Sequence, residues 1–246
     1  RFWTTTSLRG LIGLNLRIDV LKEGVHSGGA SGYVPSSFRV ARQLLSRIEN
    51  QETGEVLLEE LKVRTPKFRL NETKEYVKIV GDDLKEEFPW ISKMKPSTND
   101  KVEGVLRRTW KPALSVVGAK GLPLSENAGN VLRPYTELKL SMRIPPMVNH
   151  NKAKLAIENS LTKNPPYGSK ISVEFDEPAS GWSAPETALW LKNAMNDGSL
   201  LFYNKPCCYI GEGGTIPFMA MLGKQFPKAQ FVITGVLGPG SNAHGP

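Results

Sequence analysis

Cysteine is almost absent from this sequence of 246 residues: there are two, Cys207 and Cys208, and they are adjacent. Neighbouring thiols are poorly placed for a structural bridge and lack the paired spacing of a zinc ribbon. A disulfide scaffold is therefore not expected, and a reducing compartment is, the cytoplasm or the mitochondrial matrix. Long apolar runs are also missing. No stretch approaches the ~18–20 residues of a membrane span, and the opening Arg1-Phe-Trp-Thr-Thr-Thr6 lacks the apolar centre of a signal peptide. Neither a membrane partner nor secretion is expected. Lys and Arg outnumber Asp and Glu by 32 to 24, a net charge of +8. Yet acids interrupt every basic run, as in Lys74-Glu75 and Asp82-Asp83-Leu84-Lys85-Glu86-Glu87, so no nucleic-acid partner is expected. With 39% hydrophobic residues the chain has enough apolar material for one large or two modest globular domains. It has no initiating Met and ends at Asn242-Ala-His244-Gly-Pro246 in loop-like sequence, which suggests a fragment.

Periodicity supplies the first positive signal. In residues 11–20, Ile12, Leu14, Leu16, Ile18 and Val20 alternate with polar residues, predicting a half-buried strand. A glycine-rich loop, Gly24 to Gly32, follows, and then a helix opened by Pro35, with Val34, Phe38, Ala41, Leu44, Leu45 and Ile48 at helical spacing. Residues 50–110 are highly charged and read as helical insertions and loops. Residues 112–118 predict a short strand. Thr136, Leu138, Leu140 and Met142 alternate in another, with Arg143 on its polar face and Pro145-Pro146 stopping it. A helix over 149–162 and a strand around Ile171, Val173 and Phe175 complete an order that suits a two-layer sandwich, an antiparallel sheet backed by two helices.

The composition changes at Ser180-Gly181. Ser183-Ala-Pro-Glu186 reads as a capping box for a helix over 184–196, closed by Asp197-Gly198. A strand then runs into Gly211-Glu-Gly-Gly-Thr215, and a helix over 216–226 follows with Thr215 as its N-cap. Residues 230–237 are almost continuously apolar, as in a strand buried on both faces of a parallel sheet. Loops at the carboxyl ends of such strands gather ligands, and the Gly211–Thr215 loop offers close backbone approach to an anion. No Gly-Lys-Ser/Thr follows it, so it is not a nucleotide-binding P-loop. Of the three histidines, His26 and His244 lie in loops rich in small residues, whereas His150 sits at a polar helix start and is given no role.

Five segments occur in one order: Ser7-Leu-Arg-Gly10, Val25-His26-Ser-Gly-Gly, Leu140-Ser-Met-Arg143-Ile-Pro, Gly211-Glu-Gly-Gly-Thr-Ile-Pro217 and Ala243-His244-Gly-Pro246. Together they resemble the M20 metallopeptidases, and within them the carnosinase and cytosolic nonspecific dipeptidase branch. The resemblance implies an α/β fold in which a two-layer α+β lid, the dimerisation domain, is inserted in a mostly parallel catalytic domain of which the C-terminal part is present. Residues 1–8 would end the first catalytic segment, 9–180 would form the lid, and 181–246 would belong to the catalytic domain.

The same resemblance implies a homodimer through the lid, a short peptide substrate with a free carboxyl end, and two divalent metal ions, zinc or manganese. His244 would be a metal ligand; the other ligands and the general base would lie before Arg1, so the chain alone would not hydrolyse peptides. His26 would stabilise the oxyanion in the partner subunit's site. Arg143 would hold the substrate carboxylate, with Asn130, Gly214 and Thr215 beside it. Two rivals remain: a non-catalytic dimerisation or assembly subunit of the same type, and an amidohydrolase acting on N-acylated amino acids.

Overall fold

The computed structural model describes residues 1–235. Two sheets organise them. The larger is built from β2 (Gly10–Asp19), β4 (Ala113–Lys120), β6 (Tyr135–Ile144) and β7 (Lys170–Phe175), in the order β4-β6-β2-β7 with every neighbouring pair antiparallel. Strict alternation forms its core strand. Along β6, Thr136, Leu138, Leu140, Met142 and Ile144 are buried and the residues between them are not, and β2 adds Ile12, Leu14, Leu16 and Ile18 to the same face.

Helices α2 (Ser37–Leu45) and α6 (His150–Thr162) cover that face. Val40, Ala41 and Leu44 face the sheet from α2, while Phe38, expected inside, is 43% exposed. The α2 amphipathic face also carries Ser37, whose hydroxyl meets that of Thr136 at 2.8 Å inside the core, so both buried hydroxyls are satisfied. Asn149 caps α6 by accepting from the amides of Asn151 and Lys152. This is the two-layer sandwich that the periodicity predicts.

The smaller sheet has three strands, β1 (Trp3–Leu8) in the middle, β8 (Trp182–Ser183) antiparallel on one side and β9 (Cys208–Glu212) parallel on the other. Helices α7 (Leu189–Tyr203) and α8 (Pro217–Gln225) belong to this part. The chain leaves it between Leu8 and Gly10 and returns between Asp176 and Gly181, and the two passages run side by side. Leu11 and Ala179 exchange backbone bonds of 2.8 and 2.9 Å. A Cβ on Gly10 would lie 2.8 Å from the Gly181 nitrogen, and one on Gly181 would lie 2.8 Å from the Gly10 nitrogen. Only glycine on both passages allows that contact.

Residues 50–110 hold α3 (Lys67–Val80), the single turn α4 (Asp83–Glu86) and α5 (Lys101–Thr109). Although they lie in sequence between elements of the larger sheet, α3 and α5 pack on β9 of the smaller one. Buried Arg69 of α3 pairs with Glu72 at 2.6 Å and donates to the Ala184 carbonyl at 2.6 Å, and Glu72 accepts from Thr6 of β1 at 3.2 Å.

Three local expectations fail in the smaller part. Ser183 does not cap a helix: it pairs with Ser7 in the β8–β1 ladder, and α7 starts only at Leu189. That helix does not stop at Asp197-Gly198 but continues to Tyr203, where Asn204 takes a left-handed conformation. Ser199, just past the glycine, accepts from the Phe2 amide and donates to the Lys205 carbonyl, so tertiary contacts hold the helix through a weak position. Residues 230–235 form no regular strand; the Thr5 amide donates to the Ile233 carbonyl, and Phe231 and Ile233 pack beside Trp182. Among the described residues no helix is long and apolar enough to cross a membrane.

Candidate active site

Strands β1 and β9 are parallel, and both end at one edge. The last two residues of β9 open the Gly211–Thr215 segment, which leaves the strand at Gly213, and beyond β1 lies Arg9. The opposing wall is the end of β6, which delivers Arg143; it pairs there with Leu11 of β2 and Ala113 of β4. The carboxyl ends of parallel strands thus meet the end of the larger sheet, the place where a ligand site is expected in an α/β fold.

Arg143 and Thr215, 72 residues apart, meet here: Nη1 of Arg143 donates to Oγ1 of Thr215 at 2.9 Å. Among the described residues no carboxylate lies within ion-pair distance of Arg143, so a half-buried guanidinium keeps most of its donors for something else. Thr215 is not the helix cap expected of it. Ile216 occupies the cap position of α8 with no side-chain bond, and the Thr215 hydroxyl serves the arginine. Gly214, just before Thr215, is exposed, with nothing within 4 Å of where a Cβ would stand.

His26 and Asn130 are brought together elsewhere. His26 lies in the two-residue strand β3 (Val25–His26), paired with β5 (Val131–Leu132), and the Ser27 amide, opening the short helix α1 (Ser27–Ala30), donates to the Asn130 carbonyl at 2.9 Å. The His26 ring is exposed. No hydrogen bond joins this pair to Arg143 or Thr215 among the described residues. The expected metal ligand His244 lies outside the described residues. His150, given no role, bonds through Nδ1 to Ser180 at 2.8 Å and so ties α6 to the returning passage.

Arg9 stands in the Ser7-Leu-Arg-Gly10 segment, yet nothing local in the sequence points to a role for it. Its Nε donates to the Gly213 carbonyl at 3.2 Å and its Nη1 to the Arg107 carbonyl at 3.3 Å. Burial, and then the positive charges of Arg143 and Arg108, lower its guanidinium to about 10. Glu212, on the loop itself, is shifted the other way for a related reason: burial raises its carboxyl, Arg108 opposes and Glu87 adds to the shift. Burial raises both thiols, Cys208 to about 11, which disfavours the reactive thiolate form. The edge is therefore rich in guanidinium charge and in glycine backbone, the chemistry of an anion grip.

The family model described as the peptidase dimerisation domain, of M20 type, matches residues 6–168, well over half of the chain. The chain belongs to this M20 family. A cysteinylglycine-S-conjugate dipeptidase of Corynebacterium striatum is 26% identical over 258 aligned positions, which cover 98% of this chain and 51% of that protein. Among solved structures, the di-peptidase Dug1p of Saccharomyces cerevisiae superposes with a TM-score of 0.70 at 19% identity, covering 92% of this chain and 49% of its own. Human carnosine dipeptidase 1 gives 0.69 at 18% identity, covering 93% and 49%. These structural likenesses show the shared M20 fold, a dimerisation domain joined to part of a catalytic domain. The chain spans about half the length of the relatives it matches.

Proposed function

We propose that this M20 chain forms the carboxylate-gripping part of a metal-dependent dipeptidase that cleaves short peptides with a free C-terminal carboxylate. The observation that carries this reading is Arg143, half-buried at the strand-end edge, free of acidic partners among the described residues and steadied by the Thr215 hydroxyl. A planar guanidinium matches a carboxylate with two parallel donors, which an ammonium cannot do. Because Thr215 accepts from Arg143, its own hydrogen is free to donate to the same carboxylate, and the exposed backbone of Gly214 stands beside it. In this reading the side-chain amide of Asn130, which the fold holds beside His26 and not beside Arg143, comes to the carboxylate from the same side as that histidine.

The exposed ring of His26, apart from the Arg143–Thr215 pair, suits a donor that reaches the active site of a second subunit and stabilises the oxyanion there. In this reading the dimer forms through the lid and the protein works in the cytoplasm. The reading includes two divalent metal ions, zinc or manganese, with His244 as a ligand. Among the described residues, however, no group of three or more His, Cys, Asp or Glu comes together. The described residues do not by themselves form a metal site, and their part in the reaction is confined to the substrate.

Comparing hydrolysis of a dipeptide, its C-terminal amide and an N-acyl amino acid by the complete metal-loaded protein tests the reading. The dipeptide should be strongly preferred over its amide. Arg143→Lys should raise KM for the dipeptide about tenfold or more and largely erase that preference. Equal turnover of acid and amide by the unmodified protein would sink the proposal; preference for the N-acyl substrate would point to an amidohydrolase. A dimer that hydrolyses none of them would be an assembly subunit.

A further inference from the structure

We infer that Arg9 is a positioning residue for the carboxylate grip, holding the Gly211–Thr215 loop where the Thr215 hydroxyl meets Arg143; the inference rests on the reading of Arg143 given above. Arg9 occupies the single residue between β1 and β2, on one of the two passages that join the sheets. Its backbone amide donates to the Glu212 carbonyl at 3.3 Å, and Nε of its side chain to the next carbonyl, that of Gly213, at 3.2 Å. One residue therefore takes two successive loop carbonyls. Its Nη1 reaches the opposite way, to the Arg107 carbonyl at 3.3 Å. That carbonyl lies in the last turn of α5, where helical oxygens have no partner within the helix and favour a cation.

Gly213 is shaped by this arrangement. A Cβ there would stand 2.8 Å from the Arg108 carbonyl oxygen and 3.1 Å from Nη2 of Arg9. The loop backbone is thus pressed between the end of α5 and the Arg9 guanidinium, with Thr215 two residues further on. Arg9 cannot attract Arg143, because both are cations. It acts on the grip through the loop backbone, and the repulsion that Arg9 feels from Arg143 is one that a bound anion relieves. A lysine at position 9 would keep the charge but lose the fork that spans two carbonyls.

The test uses the 246-residue chain and reads the Nε–H NMR resonance of Arg143 during titration with N-acetylglycine, and separately with N-acetylglycinamide. In the unmodified chain the acid should shift the resonance and the amide should not. Arg9→Lys should weaken binding of the acid about tenfold while the amide stays silent, as expected for loss of charge-assisted hydrogen bonds. Gly213→Ala, which leaves Arg9 in place but pushes the loop off it, should do the same and serves if the arginine variant does not fold. Thermal midpoints separate positioning from general destabilisation: weaker acid binding by a variant that stays folded at the titration temperature reports the grip, not unfolding. If the unmodified chain fails to distinguish acid from amide, the carboxylate reading falls and this inference with it. If it does distinguish them and folded Arg9→Lys and Gly213→Ala bind the acid as tightly, Arg9 has no positioning role and the carboxylate reading stands.

Discussion

Glu212 sits on the glycine loop with its carboxyl pushed above its ordinary value of 4.5 by burial, Arg108 pulling it back and Glu87 pushing further. A carboxyl raised in the folded chain holds its proton longer there than in the unfolded one. Between 4.5 and the raised value, the folded state binds more protons, so stability falls as pH rises through that window. Glu212→Gln, always neutral, should therefore raise the thermal midpoint at pH 8, and the gain should shrink to nothing as the pH falls below about 4.5. Thermal unfolding by circular dichroism across that range checks it. A gain independent of pH would mean that packing, not ionisation, is responsible.

Two glycines, one on a passage between elements and one inside a helix, have opposite meanings. Gly181 lies on the returning passage, where a Cβ would meet the Pro146 Cα at 2.7 Å and the Leu8 carbonyl oxygen at 2.8 Å, both backbone atoms that cannot swing aside. Gly198 is inside α7, with nothing within 4 Å of the corresponding position. Gly181→Ala is expected to cost about 1–3 kcal/mol. Gly198→Ala should stabilise by up to about 1 kcal/mol, the helix propensity difference. Denaturant titration of the two variants measures both. A harmless Gly181→Ala would show that the two passages can part without loss.

At the scale of the whole molecule, the stretch 67–110 crosses over to pack on the smaller sheet, so the two sheets are joined by more than their adjacent passages. The other helices of the smaller part are less well covered. On α7, Leu201 and Phe202 are each 79% exposed and Trp190 is 66% exposed, large apolar side chains left open to solvent. In the proposed reading, the stretch that matches the peptidase dimerisation domain is a separate source of self-association. Sedimentation of the 246-residue chain should show a dimer together with larger species that grow with concentration. Leu201→Glu with Phe202→Glu should remove the larger species and leave the dimer. Loss of the dimer as well would place its interface on α7 instead of on the lid.

The sequence by itself determined the larger sheet and its helices, because alternation and helical spacing are local records of which face is buried. Thr136, Leu138, Leu140 and Met142 show their buried face within a single strand. It also marked the segments that carry the candidate residues: the arginine at the end of β6 and the glycine loop at the end of β9, which meet at the site, and the histidine of β3, which the fold holds elsewhere. Only the tertiary structure decided their partners. The Ser183 cap failed because β1 claims that residue in a ladder, and the Thr215 cap failed because Arg143 reaches the hydroxyl from 72 residues away. Arg9 gained its place for the same reason: carbonyls from a loop and a helix distant in sequence converge on one guanidinium. A local pattern fixes which way a side chain points, but its hydrogen-bond partner depends on how separate elements pack, and no short stretch of sequence records that.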